Sequence, residues 1–598
     1  YKTMERTYIY KTLLLLMTIF TVVGCDDNKF LEEDPETFYT IDNVFTTSEQ
    51  VDQVLTTCYI KVHNIYCPYN NFGELNLWSY GMGNGTDVLD VPTIRYSYRF
   101  NDYSIINSEY GVFKDTYAAF YYLINAANTA IYATNLEHIM WNSESDKAYI
   151  IAQARFFRAF AYRNLGELFG GVPLVTEITS TPKYDYKRST RMETYQYAID
   201  EMENIINDLP VTTAEAGRLV RAAVQHNLCQ LYIDKGVLLE AEGGDAASAY
   251  NKAISYANDV IDSGTYSLMT ERFGARKNEG PEFYYATSAV EQTADRTYSS
   301  AGYPIEGNVY WDLFQVGNQD YQDGNTEAIW CTQSDYEVYK SDGSLACLDY
   351  PAIYGPVFRD QGGAHIGGQM EDVGGFGCSQ VTPTPYSRDG VYEGKWGEDI
   401  RNSEAVLRRV FLGNIKTSEY YGKQIPWDVL YKKDQNGKYD DGAYTLIYPI
   451  SCKIGPDFYT LAADGRVLRS IFRDDYLIRL PETILLRAEA KLRVGDKSGA
   501  ASDINMLRSR AKCSYLVTAN DVSLDLILDE RTRELMYEES RWNTLLRMGG
   551  TVAADRIKKY SYWDYPRLTL TKPFNLWPIP QTVIDTNKDV VLEQNPGW

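Results

Sequence analysis

The chain has 598 residues and a formal charge of −23, with 58 Lys and Arg against 81 Asp and Glu. A field of that sign repels phosphate backbones and argues against nucleic acid as a partner; it also disfavours acidic polysaccharides unless a local basic patch exists. The length allows a large core and two or more domains, and the 51 Tyr and 10 Trp supply flat apolar rings with polar tips, suited to sugar and peptide surfaces.

Residues 1–24 read as an export signal rather than as part of the fold. Lys2, Arg6 and Lys11 make a basic start, and 13–23 is an apolar run too short to span a bilayer comfortably. It ends in Val22-Val23-Gly24-Cys25, which looks like a bacterial lipobox: small residues suit cleavage before a cysteine whose thiol then carries a diacylglycerol. The plainer alternative is an ordinary signal peptide with an incidental cysteine. On the lipobox reading Cys25 is lipidated, 25–45 is a tether and extended entry segment, and the lipid is the expected membrane anchor. The other eight cysteines show no CxxC spacing, and His63, His138, His226 and His365 are scattered. No metal, cofactor or catalytic triad is therefore expected. Cys58 and Cys67 are left as either a bridge or two small apolar residues.

Residues 46–264 read as a helical scaffold. A helix opens at 47–50 with Val51, Val54, Leu55 and Tyr59 on one face. The stretch 74–90, ELNLWSYGMGNGTDVLD, is a glycine-rich loop. Its Trp78, Tyr80 and Asn84 are either packed under the loop or form a stacking platform for a ligand. A long helical pattern covers 112–137. The following stretch, 148–173, organises the rest: Ile150, Ala154, Phe157, Ala161, Leu165 and Leu168 recur at spacings of three and four. Ser143 with Asp146 predicts a capped start, and Gly170-Gly171 with Pro173 predicts the stop. Further helices are expected over 190–209, 217–239 and 246–263.

Residues 265–470 break the helical period. Glycine is dense and aromatics are interleaved, which predicts a loop-rich lobe built onto the scaffold. Tyr310, Trp311, Trp330, Tyr354 and Trp396 are its most ligand-like residues; each singly reads more readily as packing, and as a set they suggest a stacking face. Helices return over 471–598. Pro481 is tolerated only in a first turn, so a helix is expected to start near Leu480. In 527–549, ILDERTRELMYEESRWNTLLRMG, Glu530, Arg531, Glu534, Glu538 and Arg541 sit at spacings that allow ion pairs. A structural charge network is preferred there over a catalytic pair of glutamates.

Four stretches carry a family resemblance. ARFFRAFAYRNLGELFGGVPLV, DDYLIRLPETILLRAEAKLRV, ERTREL with SRWNTLLR, and the ending PIP and QNPGW closely resemble motifs of the SusD/RagB family of surface nutrient-binding lipoproteins. Asp87 resembles an acidic position of the family motif, and the acidic tract after Cys25 resembles the family's surface-export signal. Glu539 stands where the family usually has Gly, Thr544 where it usually has Asp, and Pro481 also departs. The resemblance implies a mainly α fold of tetratricopeptide-like helical pairs with a large loop-rich, aromatic-rich insertion. It implies a lipid-anchored protein of the cell outer membrane that captures glycan for a SusC-like TonB-dependent transporter without cutting it. Trp78, Tyr80, Asn84, Tyr310, Trp311, Trp330, Tyr354 and Trp396 are then the expected ligand contacts. Two alternatives stand beside this reading: a peptide-binding relative, and a surface glycoside hydrolase. The latter needs two facing carboxylates roughly 5–9 Å apart, which no motif singles out.

Overall fold

A computed structural model describes residues 44–66, 83–92, 100–179, 181–286, 298–335, 350–357, 365–366, 377–413, 415, 417–430, 446–454, 471–572 and 574–598. Cys25, Cys67, Trp78 and Tyr80 lie outside them.

Among the described residues six helices fill the N-terminal part: α1 Ser48–Tyr66, α2 Gly111–Thr134, α3 Glu144–Phe169, α4 Arg191–Ile205, α5 Arg221–Glu242 and α6 Ala246–Ile261. Five longer ones follow after the lobe: α7 Leu480–Arg493, α8 Lys497–Arg510, α9 Leu524–Leu535, α10 Arg541–Arg547 and α11 Val552–Tyr560. Successive helices pack as neighbours (α2 on α3, α3 on α4, α5 on α6, α7 on α8), in tetratricopeptide-like stacked pairs. Helix α7 lies against α5 and α6, and α10 against α3, so the two sets share one hydrophobic core running from Leu55 to Ile579.

Helix α3 is the centre of that core. Ser143 caps its start by accepting from the Asp146 N–H at 3.1 Å. Gly170 ends it at φ +76°, a left-handed angle glycine adopts without strain. From Ala152 to Phe169 every residue except Arg155 is buried, so the apolar stripe is only part of what α3 hides. Its polar groups are partnered within the core. Arg158 donates to Glu201 at 2.6 Å and to Asn128 at 2.8 Å, and Arg163 meets Glu167 at 3.0 Å.

Helix α7 begins at Leu480 with Pro481 in its first turn, where a missing N–H costs nothing. The lobe between α6 and α7 is made of short pieces. Among the described residues its strands, with one from the N-terminal half, form four antiparallel two-stranded sheets. They are β1 (Leu89–Asp90) with β5 (Thr382–Pro383), β2 (Glu282–Ala286) with β3 (Tyr298–Pro304), β4 (Ala328–Thr332) with β8 (Asp475–Arg479), and β6 (Leu407–Arg408) with β7 (Ile450–Ser451). The β4–β8 pair fastens the lobe to the foot of α7. The carboxyl end packs on the body: the Trp598 ring lies 5.5 Å from that of Phe113, and its indole N–H donates to Leu576 O at 3.0 Å. Cys58 is a free thiol inside the core, and burial pushes its pKa up.

Candidate functional site

The glutamates of α9 and of the turn that follows it are spoken for. Glu530 meets Arg401, Arg508 and Arg533 at 2.8–2.9 Å. Glu534 meets Arg401 and Arg479 at 3.0 Å, and also Arg510. Glu538 meets Arg479 at 2.9 Å and Lys453 at 2.5 Å. Burial raises the Glu534 pKa, and the guanidinium groups of Arg510, Arg479 and Arg401 outweigh it, leaving the carboxyl at about 2. A carboxylate held ionised by several buried cations has no proton to give and no open face, so the network acts as a structural clasp.

Most of the aromatic residues expected to stack on a ligand pack inward instead. Asn84, Tyr310, Trp311, Trp330, Tyr354 and Trp396 are 0–7 % exposed, which corrects the expectation that they form an open face. The Tyr310 hydroxyl donates to Glu534 O at 2.6 Å, and the Arg510 guanidinium sits 5.0 Å over its ring. Arg276 covers Trp311 at 4.7 Å, Tyr354 meets Tyr537 edge-on at 4.7 Å, and Trp396 lies under Arg533 at 3.8 Å and Arg508 at 4.8 Å. For Tyr310 and Trp396 the cause is the clasp itself: an aromatic face offers a buried guanidinium a cation–π contact in place of water. Asn84 lies in a buried turn whose carbonyl accepts from the Trp542 indole at 2.9 Å. Next to it, Asp87 is gripped by Arg541 at 2.7 Å and Arg556 at 2.7 Å.

A ligand-sized opening lies elsewhere. A half-open cleft of about 430 Å³ separates the solvent side of α1 from β4 and the turn at 216–218. Ile60, Val62, Leu477 and the Trp330 edge give it apolar walls, and Thr56, His63, Asn64 and Gln333 bring polar tips. Trp330 is fixed as its floor by rings of α3: Phe156 at 5.5 Å and Phe160 at 5.7 Å, both edge-on. Its indole N–H donates to Gly217 O at 3.1 Å. Ile60 is 47 % exposed at the rim. Burial lowers the His63 pKa, so its ring is neutral at pH 7; its Nε2 is buried and meets no hydrogen-bond partner among the described residues. Arg218 lines the cleft but is engaged, holding Asp52 at 2.7 Å and Glu215 at 3.0 Å. Segment 67–82, with Trp78 and Tyr80, follows directly in sequence from the end of α1 that carries His63 and Asn64.

Of the six expected contacts among the described residues, Trp330 alone lines this cleft. The sequence carried one unused signal for it. Ile60 is apolar yet falls off the buried stripe of α1, which runs through Val51, Leu55, Cys58, Val62 and Ile65. Nothing in sequence order announces that Arg218 and Gln333 face that helix.

A stacked-helix frame with a loop-rich lobe and a small, partly apolar cleft between them is the architecture to compare with known proteins. The SusD family model matches residues 462–598, and a model described as starch-binding, associating with outer membrane, matches 29–233. A SusD-like protein P25 of Formosa agariphila is 21 % identical over 98 % of both chains. A SusD-like protein of Bacteroides ovatus is 22 % identical over 47 % of this chain, and the match spans only half of that relative's length. Among solved structures, a SusD homolog from Bacteroides thetaiotaomicron superposes with a TM-score of 0.66 at 17 % identity, covering 94 % of this chain and 100 % of the other. Surface glycan-binding protein A of the same organism, in complex with laminarihexaose, gives a TM-score of 0.55 at 18 % identity over 92 % of this chain and all of that one. The chain belongs to the SusD/RagB family.

Proposed function

We propose that this protein is a non-catalytic, lipid-anchored binding protein of the outer-membrane surface that captures glycan and passes it to a SusC-like TonB-dependent transporter. The observation that carries the proposal is the α1–β4 cleft, set in a frame that a laminarihexaose-bound relative shares. The cleft joins apolar walls to a few polar tips, the mixture a pyranose presents with its C–H faces and hydroxyl rim. Trp78 and Tyr80 are kept as contacts, because they belong to the segment that continues from the cleft-lining helix. Lipidation of Cys25 supplies the anchor. Binding by such a site is modest in affinity, since few groups are fully desolvated.

Native gels cast with single polysaccharides test the proposal. At least one neutral polysaccharide is expected to retard the full chain, with the glycan recovered uncut, and Trp78→Ala is expected to abolish the shift. Release of shorter sugars would favour a hydrolase. Retardation by no glycan, with binding of oligopeptides, would favour a peptide-binding relative.

A further inference from the structure

The charge around the cleft narrows what it can hold. We propose, resting on the glycan-binding reading above, that the α1–β4 cleft admits one end of an uncharged oligosaccharide and rejects chains bearing carboxylate or sulfate. Three observations point the same way.

First, among the described residues lining the cleft, Arg218 is the single Arg or Lys, and it is already neutralised. Asp52 takes its two Nη groups, at 3.0 and 2.7 Å, and Glu215 takes its Nε at 3.0 Å. The Tyr59 ring lies under the guanidinium at 5.5 Å. Recognition of an anion would have to break a bidentate pair that is only partly exposed, and would leave Asp52 facing the ligand.

Second, the acidic surroundings extend beyond this pair. Gln333, on the cleft wall, donates to Asp320 at 3.1 Å, and the Ser334 N–H donates to Asp474 at 2.7 Å. Burial raises the Asp474 pKa, and the neighbouring Asp320 lifts it further, to about 8, so Asp474 carries a proton at pH 7. An incoming carboxylate or sulfate would meet the same crowding that keeps a proton on Asp474. His63, the other basic side chain of the lining, has its pKa lowered by burial, so it brings no charge to an anion at pH 7.

Third, the space is small. About 430 Å³ lies near the lower end of the range for ligand pockets, roughly 300–1,000 Å³. The Trp330 edge closes the floor, so the cleft suits a terminal unit entering end-on rather than a polymer passing through.

Titration calorimetry on the full chain separates the outcomes. The probes are laminarihexaose and maltohexaose as neutral chains and a trigalacturonate as the acidic one. The control variant, Thr56→Trp, fills the mouth from an exposed position on α1 and so leaves the fold intact. The expected result is binding of a neutral probe, none of trigalacturonate, and about a tenfold or greater loss in Thr56→Trp, the scale of one lost pocket contact. His63→Ala is expected to weaken the same probe without enabling the acidic one. Binding of a neutral probe unaltered by Thr56→Trp would overturn the cleft assignment while leaving glycan capture standing. Preference for trigalacturonate would overturn the charge argument alone. Binding of no glycan across a wider array would overturn both this inference and the function it rests on.

Discussion

Asp87 is a charge this fold can hold only in company. It is fully buried, and its carboxylate takes the guanidinium groups of Arg541 and Arg556. Burial raises its pKa, but the two arginines outweigh that and hold it below the usual carboxylate range, so its stabilisation is present above about pH 4 and is lost as pH falls further. Asp87→Ala leaves two buried cations short of a partner, and urea unfolding is expected to show a loss of about 3–5 kcal/mol. Asp90, three residues on, behaves oppositely. Burial lifts its pKa from 3.8 to about 6 despite hydrogen bonds from Ser561, the Val91 N–H and Asn101. A raised carboxyl pKa favours the folded state when protonated, so this contribution is complete below about pH 4 and disappears as pH rises through 6. Asp90→Asn, which is neutral throughout, is expected to flatten the pH dependence of stability between pH 4 and 6; an unchanged slope would remove Asp90 as its source. The resemblance of Asp87 to a family position was legible in the sequence, but its role was not. Its partners stand more than 450 residues away and no local spacing encodes them.

At the scale of elements, helices whose starts and stops are local were the easiest to read. Ser143, Gly170 and Pro481 mark boundaries through their own backbone chemistry, and the structure places α3 and α7 accordingly. Packing partners were harder. Gly236 of α5 sits where a Cβ would come 2.3 Å from the Tyr250 ring of α6, so that helix pair depends on a missing side chain. Gly236→Ala must push α6 outward, with an expected cost of about 1–3 kcal/mol read as a lowered Tm. A structural role for the charges of α9 was expected, but the pairs are not those the spacing of Glu530, Arg531, Glu534, Glu538 and Arg541 suggests: Glu530 and Glu534 meet Arg401, Arg479, Arg508 and Arg510, which come from other elements. Burial by that clasp is what turned Tyr310 and Trp396 from expected ligand platforms into lids over guanidinium groups. Sequence composition reports how many rings a lobe carries; it does not report which of them are claimed by buried cations. Replacing Glu534 by Ala tests the clasp: Arg479 and Arg510 lose a shared partner, and destabilisation of about 3–5 kcal/mol is expected.

For the whole molecule, one continuous core joins the two helical sets, and the lobe is pinned to it by β4–β8 and by the clasp. A frame tied at several points keeps α1 and β4 at a fixed separation, which preorganises the cleft between them and lowers the ordering cost of binding. The mainly helical fold and the family were readable from motifs at both ends and in α3; the cleft was not, because its walls come from residues near 60, 217 and 332 that only the tertiary fold assembles. The most direct test of the central claim is calorimetric titration of the full chain with neutral oligosaccharides, followed by mass analysis of the recovered sugar. Saturable binding, with the oligosaccharide returned intact and affinity lost in Thr56→Trp, is the expected result. Absence of binding to any neutral chain, or return of cleaved sugar, would contradict it.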